Sequence, residues 1–91
     1  PDAILEFEES GLTAIELEIS PKSKSRYQEK ILRYVGLIRD QVNDKSGLKQ
    51  VNYYCITDQA YRALQRETAF YQEHFAVVRH PSLIEQRMFG V

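Results

Sequence analysis

Two segments near the start of the chain alternate between apolar and polar side chains, which is the pattern of a half-buried β-strand. They are residues 3–8 and residues 13–20. The connection between them, Glu9-Ser10-Gly11, has glycine at the position where a common bulged hairpin needs a left-handed residue. The pattern therefore predicts a β-hairpin, and a hairpin at this position favours a fold that contains a β-sheet.

A three-residue connection also determines which residues of the two strands lie opposite each other. Paired residues then have numbers that sum to twenty, so Leu5 faces Ile15 and Ala3 faces Leu17. This register collects the apolar side chains on one face, which we expect to be the buried face. A two-residue connection would reverse the pairing and place Glu16 opposite Leu5, which is the poorer arrangement.

The same register gathers three acidic side chains on the other face of the hairpin. Asp2 lies opposite Glu18, and Ile4 lies opposite Glu16. The Cβ atoms of directly opposed residues are about 5 Å apart and those of diagonal neighbours about 7–8 Å. We therefore expect Asp2, Glu16 and Glu18 to converge.

Three close carboxylates need compensation, because each close pair repels by on the order of a few kcal/mol at a protein-like dielectric constant. Protonation and exposure to water are two solutions. A bound Mg²⁺ or Mn²⁺ is a third, since both ions prefer oxygen ligands and could orient a phosphodiester and activate a water. The alternative is that the acids form the solvated face of an exposed hairpin, the commoner arrangement for a hairpin considered alone.

A helix is predicted after the hairpin. Ser20-Pro21 provides a start signal, with serine as the N-cap and proline in the first turn, although Ser23 or Ser25 could be the cap instead. Apolar residues then recur at three- and four-residue steps and predict one buried stripe. The stripe consists of Tyr27, Ile31, Tyr34, Val35, Ile38 and Val42.

Basic residues form a second stripe on this helix. The stripe consists of Lys22, Arg26, Lys30 and Arg33, which are spaced by four, four and three residues. Residues 1–21 contain six acids and no Lys or Arg, so a net charge of −1 hides an acidic segment followed by a basic one. Such a stripe could follow a nucleic-acid backbone without sequence preference. The alternative is a solvated helix face with one or two cations paired to Glu29.

The rest of the chain alternates between strands and a second helix. Residues 43–47 end the first helix, and residues 48–57 predict an almost uncharged third strand, expected to be central and covered on both faces. Thr57 or Asp58 caps the second helix, and residues 77–79 predict a short fourth strand that His80-Pro81 ends. Residues 83–89 are assigned to no element. The buried stripe of the second helix is Tyr61, Leu64, Tyr71 and Phe75, with Ala60 and Ala63.

The element order β-β-α-β-α-β predicts a mixed β-sheet of about four strands flanked by helices, an α/β sandwich of the α+β class. A chain of 91 residues encloses one core, and 43% apolar with 27% charged residues excludes disorder. No apolar run approaches the roughly 18 residues of a membrane helix. A single cysteine, Cys55, excludes an intrachain disulfide and favours the cytoplasm. Because the chain begins at Pro1, we expect it to be a fragment.

The acidic motif and its order resemble those of the PD-(D/E)xK nuclease superfamily. Pro1-Asp2 precedes a strand, Glu16-Leu17-Glu18 lies on the next strand, and a helix follows. Residues 16–34 are also similar to plasmid replication-relaxation and conjugal mobilisation proteins, in which a nuclease-like domain follows a DNA-binding region. The resemblance covers about the first sixty residues and implies a restriction-endonuclease-like core. That core normally begins with a helix and a strand upstream of the Pro-Asp pair, so here it would be trimmed or completed by another segment or subunit.

The resemblance also implies roles for individual residues. Asp2 and Glu16 match the two acids that bind a catalytic Mg²⁺ or Mn²⁺. Glu18 stands where the superfamily usually has a lysine, and would be a further ligand or a base that orients water. Lys22 or Lys24 would then stabilise charge electrostatically. The expected nucleic-acid contacts are Lys22, Lys24, Arg26, Lys30 and Arg33.

Two functions follow from the resemblance, and a third from the acidic hairpin alone. The first is a DNA-processing nuclease-like domain of a plasmid or mobile-element protein, which hydrolyses phosphodiesters with a metal if it is active. The second is the same fold without catalysis, as a DNA-binding or protein-assembly module. The third is a protein-interaction domain that binds basic partners. DNA and other plasmid transfer or replication proteins are the expected partners, a homo-oligomer is compatible with the sequence, and no membrane is expected.

Other residues offer weaker candidates for chemistry. No nucleophile elbow and no glycine-rich phosphate loop occurs in the sequence. His74 and His80 are interpreted as surface or packing residues, and Cys55 as a small buried side chain. Tyr53 and Tyr54 point to opposite faces of their strand, so at most one could face a ligand. The other tyrosines interpreted as core residues are Tyr27, Tyr34, Tyr61 and Tyr71.

Overall fold

The computed structural model describes residues 2–7 and 11–79 and confirms the predicted element order within them. The strands are β1 (Ala3–Phe7), β2 (Gly11–Glu18), β3 (Leu48–Cys55) and β4 (Phe75–Arg79). The helices are α1 (Lys24–Asp40) and α2 (Asp58–Glu67), and a short 3-10 turn, Ala69–Tyr71, follows α2. Glu9, Ser10, His80-Pro81 and residues 83–89 lie outside the described residues.

The caps and ends of the two helices follow local side-chain chemistry. Ser23, one of the three predicted alternatives, caps α1 by accepting a hydrogen bond from the Arg26 amide, and Thr57 caps α2 in the same way. Val42 lies beyond the end of α1 and is exposed. The stripe predicted for α2 extends too far, because the helix ends at Glu67 and Phe75 already begins β4. No described helix is long and apolar enough to cross a membrane.

The four strands form one mixed sheet in the order β1-β2-β3-β4. β1 and β2 are antiparallel, whereas β2, β3 and β4 are parallel, with α1 and α2 as the crossovers. Both crossovers advance in the same direction along the sheet, and crossovers of one hand then place their helices on the same face. The core therefore lies between this face and the two helices. Its apolar members include Tyr27, Ile31, Val35, Val51, Cys55 and Leu64.

The opposite face of the sheet has no helix over it among the described residues. Leu17 is 46% exposed and Ile19, just beyond β2, is 65% exposed. β3 is central, as predicted, but the described residues cover only one of its two faces. On this open face it carries Asn52 and Tyr54, which are half-buried.

The register of the hairpin differs from the prediction by two residues. Ala3 pairs with Ile15 and Phe7 pairs with Gly11, so paired residue numbers sum to eighteen. The difference arises because Gly11 is the first residue of β2 instead of the last residue of the connection. A shift of two keeps each side chain on its face of the strand, but it moves Asp2 from a position beside Glu18 to one beside Glu16.

The prediction of which hairpin face is buried is also wrong. Glu16 and Glu18 point under α1 into the core, whereas Leu17 points to the open face. The physical reason is that α1 supplies hydrogen-bond donors for both carboxylates, so the acidic face can be buried. Alternation alone shows that two faces differ, but it does not show which one a helix will cover.

Gly11 offers a direct test of this register. Its φ of +82° is left-handed, and a Cβ there would lie 2.5 Å from the carbonyl oxygen of Gly47. We predict that Gly11→Ala lowers the free energy of unfolding by about 2 kcal/mol or more. The matched control is Gly36→Ala in α1, where a Cβ meets nothing within 4 Å. That change should raise stability by about 0.5–1 kcal/mol. Urea unfolding measures both, and an unchanged midpoint for Gly11→Ala would contradict the described backbone.

Candidate functional site

Two glutamates of β2 are buried beneath helix α1. Glu16 is 2% exposed and Glu18 is 1% exposed. They lie two residues apart on β2, so both side chains leave the same face of the sheet. Tyr27, Lys30 and Tyr34 follow at steps of three and four residues on α1, and therefore share the helix face that meets the strand.

The Glu16 carboxylate is held by one lysine and one tyrosine of α1. Lys30 Nζ lies 2.5 Å from Oε2, and the Tyr34 hydroxyl donates to Oε1 at 2.7 Å. Burial alone would raise the pKa of Glu16, but the hydrogen bonds from Lys30 and Tyr34 outweigh it, and the pKa lies below its ordinary value of 4.5. The Lys30 side chain is 38% exposed, so it connects this buried carboxylate with the surface.

The Glu18 carboxylate has an equivalent pair of partners. Lys22 Nζ contacts both of its oxygens, at 2.8 Å and 2.7 Å, and the Tyr27 hydroxyl donates to Oε2 at 3.2 Å. The Lys22 backbone N–H in turn donates to the Tyr27 hydroxyl at 3.0 Å. Glu18, Lys22 and Tyr27 therefore form a closed ring of hydrogen bonds that joins the end of β2 to the start of α1.

Asp2 lies at the start of the hairpin, beside Glu16. Its Oδ2 accepts a hydrogen bond from the Leu17 amide at 2.6 Å, and its own N–H donates to the Ile15 carbonyl. Burial is the main cause of the raised pKa of Tyr34, followed by Glu16, and the charge of Asp2 adds to the effect. Glu16 contacts the Tyr34 hydroxyl directly, whereas Glu18 belongs to the separate ring with Lys22.

The predicted convergence of three carboxylates into a metal site is not what the described residues show. Among them, no group of three or more His, Cys, Asp and Glu side chains is placed to hold a metal ion. Both oxygens of Glu16 already accept hydrogen bonds, as do both oxygens of Glu18. In this arrangement the lysines already neutralise both buried carboxylates, so Asp2 and Glu16 could hold a divalent cation only if Lys30 released Glu16.

The structure divides the predicted basic stripe into two sets. Lys22 and Lys30 bind the buried glutamates, whereas Arg33 makes an exposed contact with Glu29 at 3.4 Å. Lys24 and Arg26 are exposed and form no ion pair with any described residue. Only the cations of this second set can turn to a partner without leaving a buried charge unpaired.

Tyr53 is a buried polar residue whose importance the sequence pattern does not reveal. It pairs with Glu16 across the parallel strands, and its ring stacks on Phe75 with centroids 6.3 Å apart. Its hydroxyl has no hydrogen-bond partner among the described residues. Burial, and then the charge of Glu16, raise its pKa far above the ordinary value. Tyr54 points to the opposite face, as predicted.

Cys55 and His74 take part in neither carboxylate group. Burial and the nearby Glu18 raise the pKa of the Cys55 thiol to about 11, so the thiolate is scarce at neutral pH. His74 Nε2 lies 3.5 Å from a carboxylate oxygen of the exposed Glu73. Neither position has the features of a nucleophile or a metal ligand.

No model of a known protein family matches the chain, and searches of curated proteins and of solved structures found no match. The arrangement of these side chains and the sequence motif are therefore the grounds for assigning a function.

The sequence pattern predicts Tyr27 and Tyr34 as core residues, but it does not predict that their hydroxyls hold the glutamates. The available signal was their spacing, because Tyr27 lies three residues before Lys30 and Tyr34 four residues after it, so all three share one helix face. A buried stripe that contains hydroxyl donors and borders a basic residue favours an acidic partner on the strand below.

Two Tyr→Phe variants separate a satisfied buried hydroxyl from an unsatisfied one. Tyr34→Phe removes the donor to Glu16 and should lower the free energy of unfolding by about 1.5–3 kcal/mol. Tyr53→Phe removes a hydroxyl with no partner and should leave stability unchanged or raise it by about 1 kcal/mol. Urea unfolding at neutral pH measures both changes. Equal losses in the two variants would show that Tyr53 has a partner and that the described contacts are wrong.

Proposed function

We propose that this chain is a DNA-processing domain of the PD-(D/E)xK nuclease-like type, acting within a plasmid or mobile-element replication or mobilisation protein. The nuclease-like type is supported by the acidic motif and by the position of that motif in the fold. Asp2 immediately precedes β1, Glu16-Leu17-Glu18 ends β2, and α1 follows. The resemblance implies this order of motif and elements.

Of the two forms of this function, the geometry favours the one without hydrolysis, a DNA-binding or assembly module. The observation that carries this choice is the internal neutralisation of both glutamates. Lys30 and Tyr34 hold Glu16, while Lys22 and Tyr27 hold Glu18. A buried carboxylate with its own lysine already has the compensating charge that a metal would otherwise provide.

Metal-dependent phosphodiester hydrolysis is the second candidate, and one specific observation favours it. Asp2 lies beside Glu16, and Lys30 contacts the Glu16 carboxylate. Two acids and a lysine are therefore neighbours, with the lysine supplied by α1 instead of by position 18. In this candidate Asp2 and Glu16 would hold Mg²⁺ or Mn²⁺, and Lys30 would have to release Glu16.

DNA contact in either form is assigned to the exposed cations of α1. Arg26 and Arg33 are seven residues apart, two helical turns on one flank, and among the described residues Arg33 forms an ion pair only with the exposed Glu29. Surface ion pairs of this kind contribute little, so Arg33 can turn to a phosphate. Lys24 lies on another flank of the helix.

The decisive experiment measures DNA binding and cleavage in the same samples. In Mn²⁺ or in EDTA, the chain should bind duplex DNA with an affinity that falls as salt rises, and it should leave supercoiled plasmid intact. The double variant Arg26→Glu/Arg33→Glu should weaken duplex binding at least tenfold. Its control, Arg39→Glu/Lys45→Glu, makes the same change of charge at the other end of α1 and should bind like the wild type.

Cleavage variants decide between the two candidates. If wild type nicks the plasmid only with Mn²⁺, and Glu16→Gln abolishes nicking while Glu29→Gln does not, the hydrolytic candidate is correct. Glu29 is the matched control because it is an exposed acid on α1. If Arg26→Glu/Arg33→Glu does not weaken duplex binding, or if no duplex binding occurs, the assignment of DNA contact to this surface is wrong.

A further inference from the structure

A groove of about 720 Å³ runs between α1 and the end of α2 with the 3-10 turn that follows. Its α1 wall carries Lys24, Gln28 and Leu32, which are spaced by four residues and therefore lie one above another on the helix. Over eight residues this wall extends for about 12 Å. The opposite wall carries Arg66 and Phe70. The groove contains none of the residues of the two carboxylate groups.

Phe70 dominates the apolar part of the groove. It lies in the 3-10 turn Ala69–Tyr71 and is 89% exposed, although most of the aromatic side chains described here are buried or half-buried. Leu32 is also exposed on the facing wall. An exposed aromatic ring next to a second exposed apolar side chain, surrounded by polar residues, is typical of a binding surface.

The charge on the groove is positive. Lys24 and Arg66 are exposed, and neither forms an ion pair with a described residue. Glu67 is the one acid among the residues that line the groove. Two exposed cations and an exposed aromatic ring that line the same groove are complementary to an anionic ligand that also has flat apolar faces.

We propose that this groove binds a short stretch of single-stranded nucleic acid, with a base stacked on Phe70 and phosphates on Lys24 and Arg66. Stacking on aromatic side chains in a basic groove is how proteins hold single strands without sequence preference. The inference deepens the proposed function, on which it rests. It concerns a different surface, because at about 100° per residue Lys24 and Gln28 lie on the opposite flank of α1 from Arg26 and Arg33.

The test measures binding of the 91-residue chain to a fluorescein-labelled oligothymidylate by anisotropy. Phe70→Ala should weaken binding at least about fivefold, whereas Phe70→Tyr should retain it. Lys24→Glu/Arg66→Glu should weaken binding at least tenfold and make the salt dependence shallower by roughly 0.7 per lost phosphate contact. Val42→Ala, an exposed apolar residue outside the groove, and Arg39→Glu/Lys45→Glu are the matched controls and should bind like the wild type.

Three outcomes would overturn the inference. The first is that the oligonucleotide does not bind while duplex DNA does, which leaves the proposed function in place. The second is that binding is unchanged by Phe70→Ala or falls equally in the control charge variant. The third is that an acidic peptide binds at least as tightly with the same dependence on Phe70, Lys24 and Arg66, which would make the groove a protein-docking site. Duplex binding through Arg26 and Arg33 is measured separately, so failure at one surface is distinguishable from failure at the other.

Discussion

The structure depends on the neutralisation of two buried carboxylates by helix α1, which covers them, and by Lys22 just before it. Moving an ionised carboxylate out of water costs several kcal/mol, so Glu16 and Glu18 can face the core only where partners are already in place. Lys30 and Tyr34 meet Glu16, and Lys22 with Tyr27 meets Glu18. These contacts fix how α1 lies on β2, because a displaced helix would leave two charges buried and unpaired.

The order of elements could be predicted from the sequence because each element has a local cause. The alternation of residues 3–8 and 13–20, the Ser23 cap and the Thr57 cap all act within a few residues. Nothing local reveals which face of β2 is covered. The face with Leu17 and Ile19 is the more apolar, yet the acidic face is buried, because Lys30 can lay its hydrocarbon stem in the interior while its charge stays near the surface.

The candidate site could also be predicted only in part, because local sequence patterns do not determine contacts between distant residues. The two glutamates and their common face follow from a period of two, but the hairpin register depended on whether Gly11 belongs to the connection or to the strand. A difference of two residues moved Asp2 from Glu18 to Glu16. The lysine and the tyrosine that hold Glu16 lie 14 and 18 residues away along the chain, so no local spacing rule supplies these contacts. Glu18 is held from nearer positions, by Lys22 four residues away and Tyr27 nine residues away. Together these contacts replace one acidic cluster with two neutralised groups. As a result, one flank of α1 packs against the core, and the other sides of the helix carry exposed cations.

The pKa of Glu16 tests this account most directly, because it reports whether the buried carboxylate is ionised and compensated. Lys30 and Tyr34 lower it below the ordinary 4.5, so the stability that Glu16 contributes is complete above that pH and is lost as the pH falls further. A titration of the Glu16 carboxyl carbon by NMR should give a midpoint below 4.5 in the wild type. In Lys30→Met the midpoint should rise, since burial is then less compensated. A wild-type midpoint at or above 4.5, or one that Lys30→Met does not move, would contradict the internal neutralisation of this site.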